Sequence, residues 1–256
     1  TNFTLLDKEK IKDLIRLKVD ELAISLWAAN QNVYQKTHPD TLKGVFEKIK
    51  ENLIFLSAEK KDKPQVTLCN VICNLNYLEL VEMFKFALTM KADGVYFTLL
   101  DSLEGTQSLL LTKEEKRVVL RQAEEIMRLW ENLPQEKRIK LDYFDGFISR
   151  LKENNALMEN YDAQRINRIP CYAGWIFTRV LADGNIAPCC RGVNKQMGNI
   201  NNVDFKDIWF SPRYTEFRSK AKYLLKTEPY FTEIGCLKMC DNLMHNEEIH
   251  QKLDGK

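Results

Sequence analysis

Hydrophobic positions in the first 130 residues follow two alternating rhythms. From Leu5 to Leu17, apolar residues at Leu6, Ile11, Leu14, Ile15 and Leu17 recur at near-helical spacing with charges between them. Thr41 to Leu56 repeats this through Leu42, Val45, Phe46, Ile49 and Leu53. Tyr77 to Met90 reads as a strong amphipathic helix, and Thr112 to Leu129 as a long charged one, with Thr112 and Glu115 spaced as a capping box. Between these lie apolar runs of strand length: ELAISLW at 21–27, VTLCNVIC at 66–73 and GVYFTLL at 94–100. The second follows Pro64 and is rich in β-branched residues, and the third is entered through Asp93-Gly94, so both read as buried strands. Alternation at this spacing predicts an α/β unit with a parallel sheet covered by helices. Three parallel strands leave two unpaired edges. A chain that opens in mid-pattern on TNFTLL, without a Met, therefore reads as the later part of a barrel whose first units precede Thr1. Residues 59–63 (EKKDK) are a solvated loop in this reading.

The pattern changes after Arg165. Two short β-like runs, Trp175–Val180 and Asn185–Ala187, flank Asp183-Gly184, a hairpin signal because glycine takes a positive φ cheaply. Cys171 precedes the first run and Cys189 follows the second, so the two sulfurs can approach each other. MGNI at 197–200 suggests a further turn and DFKDIW at 204–209 a short helix, while Ser211-Pro212 opens a helix running to about Leu225. Cys236 and Cys240 are four apart, which on a helical turn puts both thiols on one side.

Composition narrows the chemistry. The 256 residues are 45% hydrophobic and 29% charged, enough for a packed core and too apolar for a disordered chain. A net charge of +2 from 38 basic and 36 acidic side chains gives no basic excess for a general nucleic-acid or membrane-surface binder. No apolar stretch approaches the ~20 residues needed to cross a bilayer. Asp7, Lys8, Glu9 and Lys10 interrupt any secretory h-region, so the expected location is cytoplasmic. Seven cysteines in such a chain do not read as a disulfide framework, and five of them (Cys171, Cys189, Cys190, Cys236, Cys240) fall in the last 86 residues. Four thiolates converging from a hairpin and a C-terminal turn can hold an iron–sulfur cluster or a zinc ion. The 17 residues between Cys171 and Cys189 differ from the tight Cys-x2-Cys pairs of zinc ribbons. His245 and His250 are available nitrogen donors, although polar histidines near a chain end are commonly just exposed, and buried cysteines without a metal are the third alternative.

The arrangement Cys171-x12-Gly184-x4-Cys189, then Gly198-Asn199-Ile200, Asp207-Ile208-Trp209, Arg218 and Cys236-x3-Cys240 resembles the SPASM/Twitch domain, the C-terminal auxiliary-cluster module of radical S-adenosylmethionine (SAM) enzymes. Over roughly residues 168–245, the resemblance implies that Cys171, Cys189, Cys236 and Cys240 bind one auxiliary [4Fe–4S] cluster and that the adjacent Cys190 points elsewhere. Five cysteines in this region, against seven in the two-cluster form, imply the one-cluster, Twitch-type module. The earlier residues resemble the second half of a radical SAM partial barrel: TN at 1–2, ELAISLW, the Asn-rich end of VTLCNVICNLN, and ADGVYF keep the family's order. The implied fold class is α/β, the C-terminal part of a partial (βα)6 TIM-like barrel over residues 1–160, followed by a small cluster domain of β-hairpin and helices over 165–256. The resemblance places Ser25, and Asn74 or Asn76, beside SAM or substrate, and His38 near where relatives often carry an arginine. Tyr96, Asp101 and Glu104 are candidates for lining the cavity, and no catalytic acid–base pair stands out.

The family's SAM-binding cluster is held by Cys-x3-Cys-x2-Cys. Here Cys69-x3-Cys73 leads to Asn76 and Cys236-x3-Cys240 to Leu243, so the motif is absent, and Cys69 and Cys73 read as core residues. In complete form, such an enzyme would bind SAM at a second [4Fe–4S] cluster, cleave it reductively to a 5′-deoxyadenosyl radical and abstract a substrate hydrogen atom. This chain alone is expected to be inactive. The implied partners are a peptide or sugar-like substrate and a flavodoxin or ferredoxin as reductant, with no nucleic acid and no membrane. A cluster- or zinc-binding module without SAM chemistry is the alternative. Sequencing the gene upstream of Thr1 separates the two: a Cys-x3-Cys-x2-Cys is expected there, and a start codon immediately before Thr1 would contradict the enzyme reading.

Overall fold

The computed structural model describes residues 1–102, 104–153 and 160–254. It divides into two compact units, Thr1–Leu151 and Lys152–Lys256. Residues 154–159 of the expected first unit, and the last two of the expected second, lie outside the described residues.

The first unit alternates helix and strand. Strands β1 (Glu21–Ser25), β2 (Gln65–Ile72), β3 (Gly94–Leu99) and β4 (Lys140–Asp142) form one sheet in chain order, each pair parallel. The helices are α1 (Lys8–Arg16), α2 (Gln31–Thr37), α3 (Val45–Glu59), α4 (Leu80–Thr89), α5 (Lys113–Asn132) and α6 (Phe144–Lys152). Local chemistry fixes their starts. The Asp7 carboxylate accepts from Lys10 N at α1, the Asn30 side chain from Val33 N at α2, and at α5 Thr112 and Glu115 form a reciprocal capping box. Three elements go beyond the sequence pattern: α2 is short and set by its cap, β4 is only three residues long, and α6 follows directly after it. By pairing with β3, β4 supplies a neighbour to a strand that three strands alone would leave at an edge.

Period-two alternation sorts the sheet's side chains by face. Ile24, Leu68, Ile72, Val95, Phe97 and Leu99 are buried. Ser25, Cys69, Tyr96 and Asp142 stand in one register across all four strands and are half-buried or exposed. Cys73 therefore is a core residue, whereas Cys69, expected in the core, lies in that more open register because it is an odd step from Leu68. Near the strands' C-terminal ends, the side chain of Asn70 in β2 accepts from Trp27 N at 3.1 Å. Asn76 accepts from Cys73 N at 2.9 Å and donates to Trp27 O at 3.0 Å and Val71 O at 2.9 Å. These bonds hold Trp27 at φ +61, a left-handed conformation costly for a side chain of that size.

In the second unit, α7 (Ala173–Ile176) leads to β5 (Arg179–Val180), β6 (Asn185–Ala187) and β7 (Gly198–Asn199), an antiparallel sheet in that order. Then come α8 (Phe205–Trp209), α9 (Pro212–Tyr223), α10 (Pro229–Thr232) and α11 (Leu243–Asp254). Ser211 caps α9 by accepting from Tyr214 N, with Pro212 at the first turn. Ile186, Met197, Ile208, Tyr214, Phe217, Ala221, Phe231 and Ile234 make the core. Three local expectations are corrected. Trp175 and Ile176, expected to open the first strand, instead end the helical turn of α7, because Arg218 Nε donates to Gly174 O at 2.8 Å and Gly174 abuts Phe217 too closely for a Cβ. Gly198–Asn199 pairs with β6 instead of only turning. Cys236 lies in the turn after α10 and Cys240 just past it, rather than both on one helical turn.

Asn76→Ala is expected to cost about 2–3 kcal/mol, since it strands the Cys73 N–H and two carbonyls in a site where Asn76 is 1% exposed. Chemical denaturation measures this, and a loss well under about 1 kcal/mol would show that water replaces the amide.

Candidate metal centre

Each thiol of the second unit has its own backbone seat. Cys171 N donates to Ala221 O on α9 at 3.0 Å, and the next N–H, of Tyr172, donates to the Asn246 side chain of α11 at 2.8 Å. Asn246 Nδ2 in turn points at Cys171 Sγ, 3.9 Å away. Cys189 follows β6, where Gly192 N donates to its sulfur at 3.2 Å. A Cβ on Gly192 would lie 3.1 Å from that sulfur, so glycine lets the backbone come near it. Cys236 is turned by Gly235 at φ +77 and donates its N–H to Phe231 O at 3.1 Å. Cys240 N donates to the buried Asp162 carboxylate at 2.6 Å, and Asp162 N to Lys238 O at 3.1 Å.

The four sulfurs share one cavity, whose apolar lining includes Ile166, Phe217, Phe231, Ile234 and Leu243. Burial pushes the Cys189 thiol up to about 11 and the Cys236 thiol up to about 12, and also raises Cys171 and Cys240. The sulfurs push one another in the same direction: Cys171 acts on Cys189, Cys236 and Cys240. Two cations oppose this. Lys226 acts on Cys171 and Cys236, and Arg191 on Cys236. Four thiols in such a pocket ionise readily only against a strong positive partner, and metal binding, which requires deprotonated ligands, supplies one. The donor set, four soft sulfurs with backbone N–H groups aimed at them, fits an iron–sulfur cluster. Among the described residues, no three His, Cys, Asp or Glu side chains are drawn together as a compact single-ion site.

Cys190 lines the same cavity but faces other charges. Its thiol, raised first by burial, bonds to Asp241 and feels Arg179, whose guanidinium donates to Cys190 O at 3.1 Å. His245 is half exposed beside Glu248, and His250 bonds Tyr172 OH at 3.2 Å and Asp254 at 3.1 Å; neither lines the cavity. In the first unit, Ser25 ends β1 exposed, its N–H donating to Thr1 O at 2.9 Å. Asn74 lies just past β2 and donates to Ser108 O at 2.7 Å. His38 stacks on Tyr34 at 4.3 Å, and burial lowers it. Tyr96 lies in the half-buried register, while Asp101 and Glu104 follow β3. Lys226, Asn246 and Asp162 escaped sequence reasoning. Each is a polar residue in an unpatterned stretch, and only its burial reveals it.

The fold is thus a parallel α/β unit and a small module in which four half-buried thiols line one cavity, a donor set that could hold an iron–sulfur cluster. Residues 171–232 match the family model of SPASM, an iron–sulfur cluster-binding domain, a span that holds Cys171 and Cys189 and stops before Cys236. A curated relative from Pyrococcus furiosus, the tungsten-containing aldehyde ferredoxin oxidoreductase cofactor-modifying protein, is 28% identical over 248 residues, 94% of this chain and 66% of that protein. Among solved structures, anSMEcpe with bound AdoMet and the Kp18Cys peptide superposes with a TM-score of 0.58 at 16% identity, over 86% of this chain and 59% of that one. SuiB from Streptococcus suis bound to S-adenosylmethionine does so with a TM-score of 0.57 at 18% identity, over 86% and 49%. The chain thus spans about half to two thirds of these relatives. The likeness to these structures is one of fold, and within it residues 171–232 carry the SPASM match. No helix among the described residues is long and apolar enough to cross a membrane.

After anaerobic reconstitution with iron and sulfide, Cys236→Ala is expected to lose most of its iron, while Cys190→Ala keeps it. Full retention in the first variant, or loss in the second, contradicts the assignment of ligands.

Proposed function

We propose that the protein acts as a radical SAM maturase. Its first unit would be the later part of a partial (βα)6 barrel, and its second a Twitch-type domain whose Cys171, Cys189, Cys236 and Cys240 hold one auxiliary [4Fe–4S] cluster. The carrying observation is the convergence of four half-buried, mutually interacting thiols on one cavity, in a stretch that largely matches an iron–sulfur domain. When bound, such a cluster supplies a one-electron couple tuned by burial and by hydrogen bonds to its sulfurs. The residues around it have matching tasks. Gly192 N and Asn246 Nδ2 direct donors at Cys189 and Cys171, and the apolar lining keeps water away. Ser25, the last residue of β1, and Asn74, just past β2, are the proposed SAM contacts in the first unit.

A peptide or protein-borne substrate is favoured over a sugar-like one. The similar structures include anSMEcpe with a peptide bound and SuiB bound to its precursor peptide SuiA, and the curated relative is a cofactor-modifying protein. The expected reductant is a flavodoxin or ferredoxin. One observation favours the second reading, a cluster module in electron transfer or scaffolding: these 256 residues contain no Cys-x3-Cys-x2-Cys.

Anaerobically reconstituted protein is expected to be brown and to carry about four irons and four sulfides per chain. Colourless protein with about one zinc per chain would overturn the cluster assignment. For the maturase reading, the full-length protein, reduced in the presence of SAM, is expected to release 5′-deoxyadenosine and methionine; failure with intact clusters favours the second reading.

A further inference from the structure

Lys226 is unusual for a lysine in being 3% exposed. Its ammonium donates to Ala221 O at 3.0 Å and Leu224 O at 2.9 Å and lies 4.8 Å from the centre of the Phe231 ring. Its own N–H is tied to the Asn167 side chain at 2.6 Å. The Ala221 carbonyl that receives this ammonium also receives Cys171 N, so lysine and proposed ligand share one anchor. Lys226 lines the cavity of the four thiols. Burial disfavours its charge, and the negative groups that favour it are the thiolates of Cys171, Cys236 and Cys240. A buried cation is retained when an anion repays its desolvation. A [4Fe–4S] cluster with four thiolates is such an anion: dianionic when oxidised, trianionic once a donor adds one electron.

Resting on the cluster reading above, we propose that Lys226 is a positioning residue that serves as the buried counter-charge of the auxiliary cluster, anchoring the Cys171 seat and favouring the cluster's reduced state. The added electron comes from a low-potential donor, dithionite in the test, and its charge falls beside a fixed ammonium already desolvated. Arg191 also lines the cavity, but it acts on Cys236 less than Lys226 does, which leaves Lys226 as the chief lever.

The test uses the reconstituted whole chain and its Lys226→Met, Lys226→Gln and Lys226→Arg variants, with iron content and an EPR-monitored redox titration as readouts. The neutral variants are expected to raise the oxidised-to-reduced ratio at a given potential about tenfold, a midpoint about 59 mV lower for a one-electron couple. Lys226→Arg should stay close to the unsubstituted protein. Unchanged ratios in Met and Gln variants that carry full iron would overturn the proposal while leaving the cluster assignment intact. If Lys226→Met fails to hold iron, Gln and Arg decide: iron restored by Arg alone supports a requirement for charge, and iron restored equally by Gln refutes it. If the unsubstituted chain takes up no iron, the cluster reading falls, and the counter-charge falls with it.

Discussion

Thiolates are hard to keep in an apolar pocket, and the second unit gathers four sulfurs there. Burial alone drives Cys189 and Cys236 far into the protonated range, and each neighbouring sulfur makes ionisation harder. The surrounding design follows from this constraint: N–H groups point at sulfur, Gly192 admits the backbone near Cys189, and the Lys226 ammonium stands on the cavity wall, while Asp162 beside Cys240 acts the other way. The core of Ile186, Tyr214, Phe217 and Phe231 packs against Cys171, Cys189 and Cys236, so the hydrophobic interior is also the wall of the thiol cavity. Under the proposed cluster reading, metal binding would be coupled to folding of this module.

The first unit solves a different problem. Its parallel strands must stop and turn together at their C-terminal ends, where ligands bind in open α/β sheets. Buried amides do this work. Asn70 and Asn76 occupy the backbone groups of Trp27, Val71 and Cys73, which fixes the strand ends and stabilises Trp27's left-handed turn. At the opposite end, Asp93 accepts from Val66 N and from the Lys60 ammonium, joining β2 to the entrance of β3.

Much of this was legible in the residues. The three longer strands and the four longer helices of the first unit follow directly from hydrophobic period, and the Thr112/Glu115 box and Ser211-Pro212 announced their helix starts. What escaped had no periodic signal. Three residues are too few to show alternation at β4, and α2 depends on one asparagine cap. The extended reading failed at 175–176 because Phe217 and Arg218 on α9 impose a turn that local propensity does not encode; the contact at Gly174 is tertiary. The same holds at the site. Cysteine spacing pointed to the four sulfurs, but Lys226, Asn246 and Asp162 become meaningful only when burial places them beside those sulfurs.

The central claim is that Cys171, Cys189, Cys236 and Cys240 enclose one polynuclear iron centre. X-ray absorption at the iron edge of the anaerobically reconstituted chain tests it most directly. The account predicts iron surrounded by sulfur alone, with a short iron–iron vector, both diminished in Cys240→Ala. Iron bound through oxygen or nitrogen, or a sample whose only tightly held metal is zinc with sulfur ligands, would contradict it.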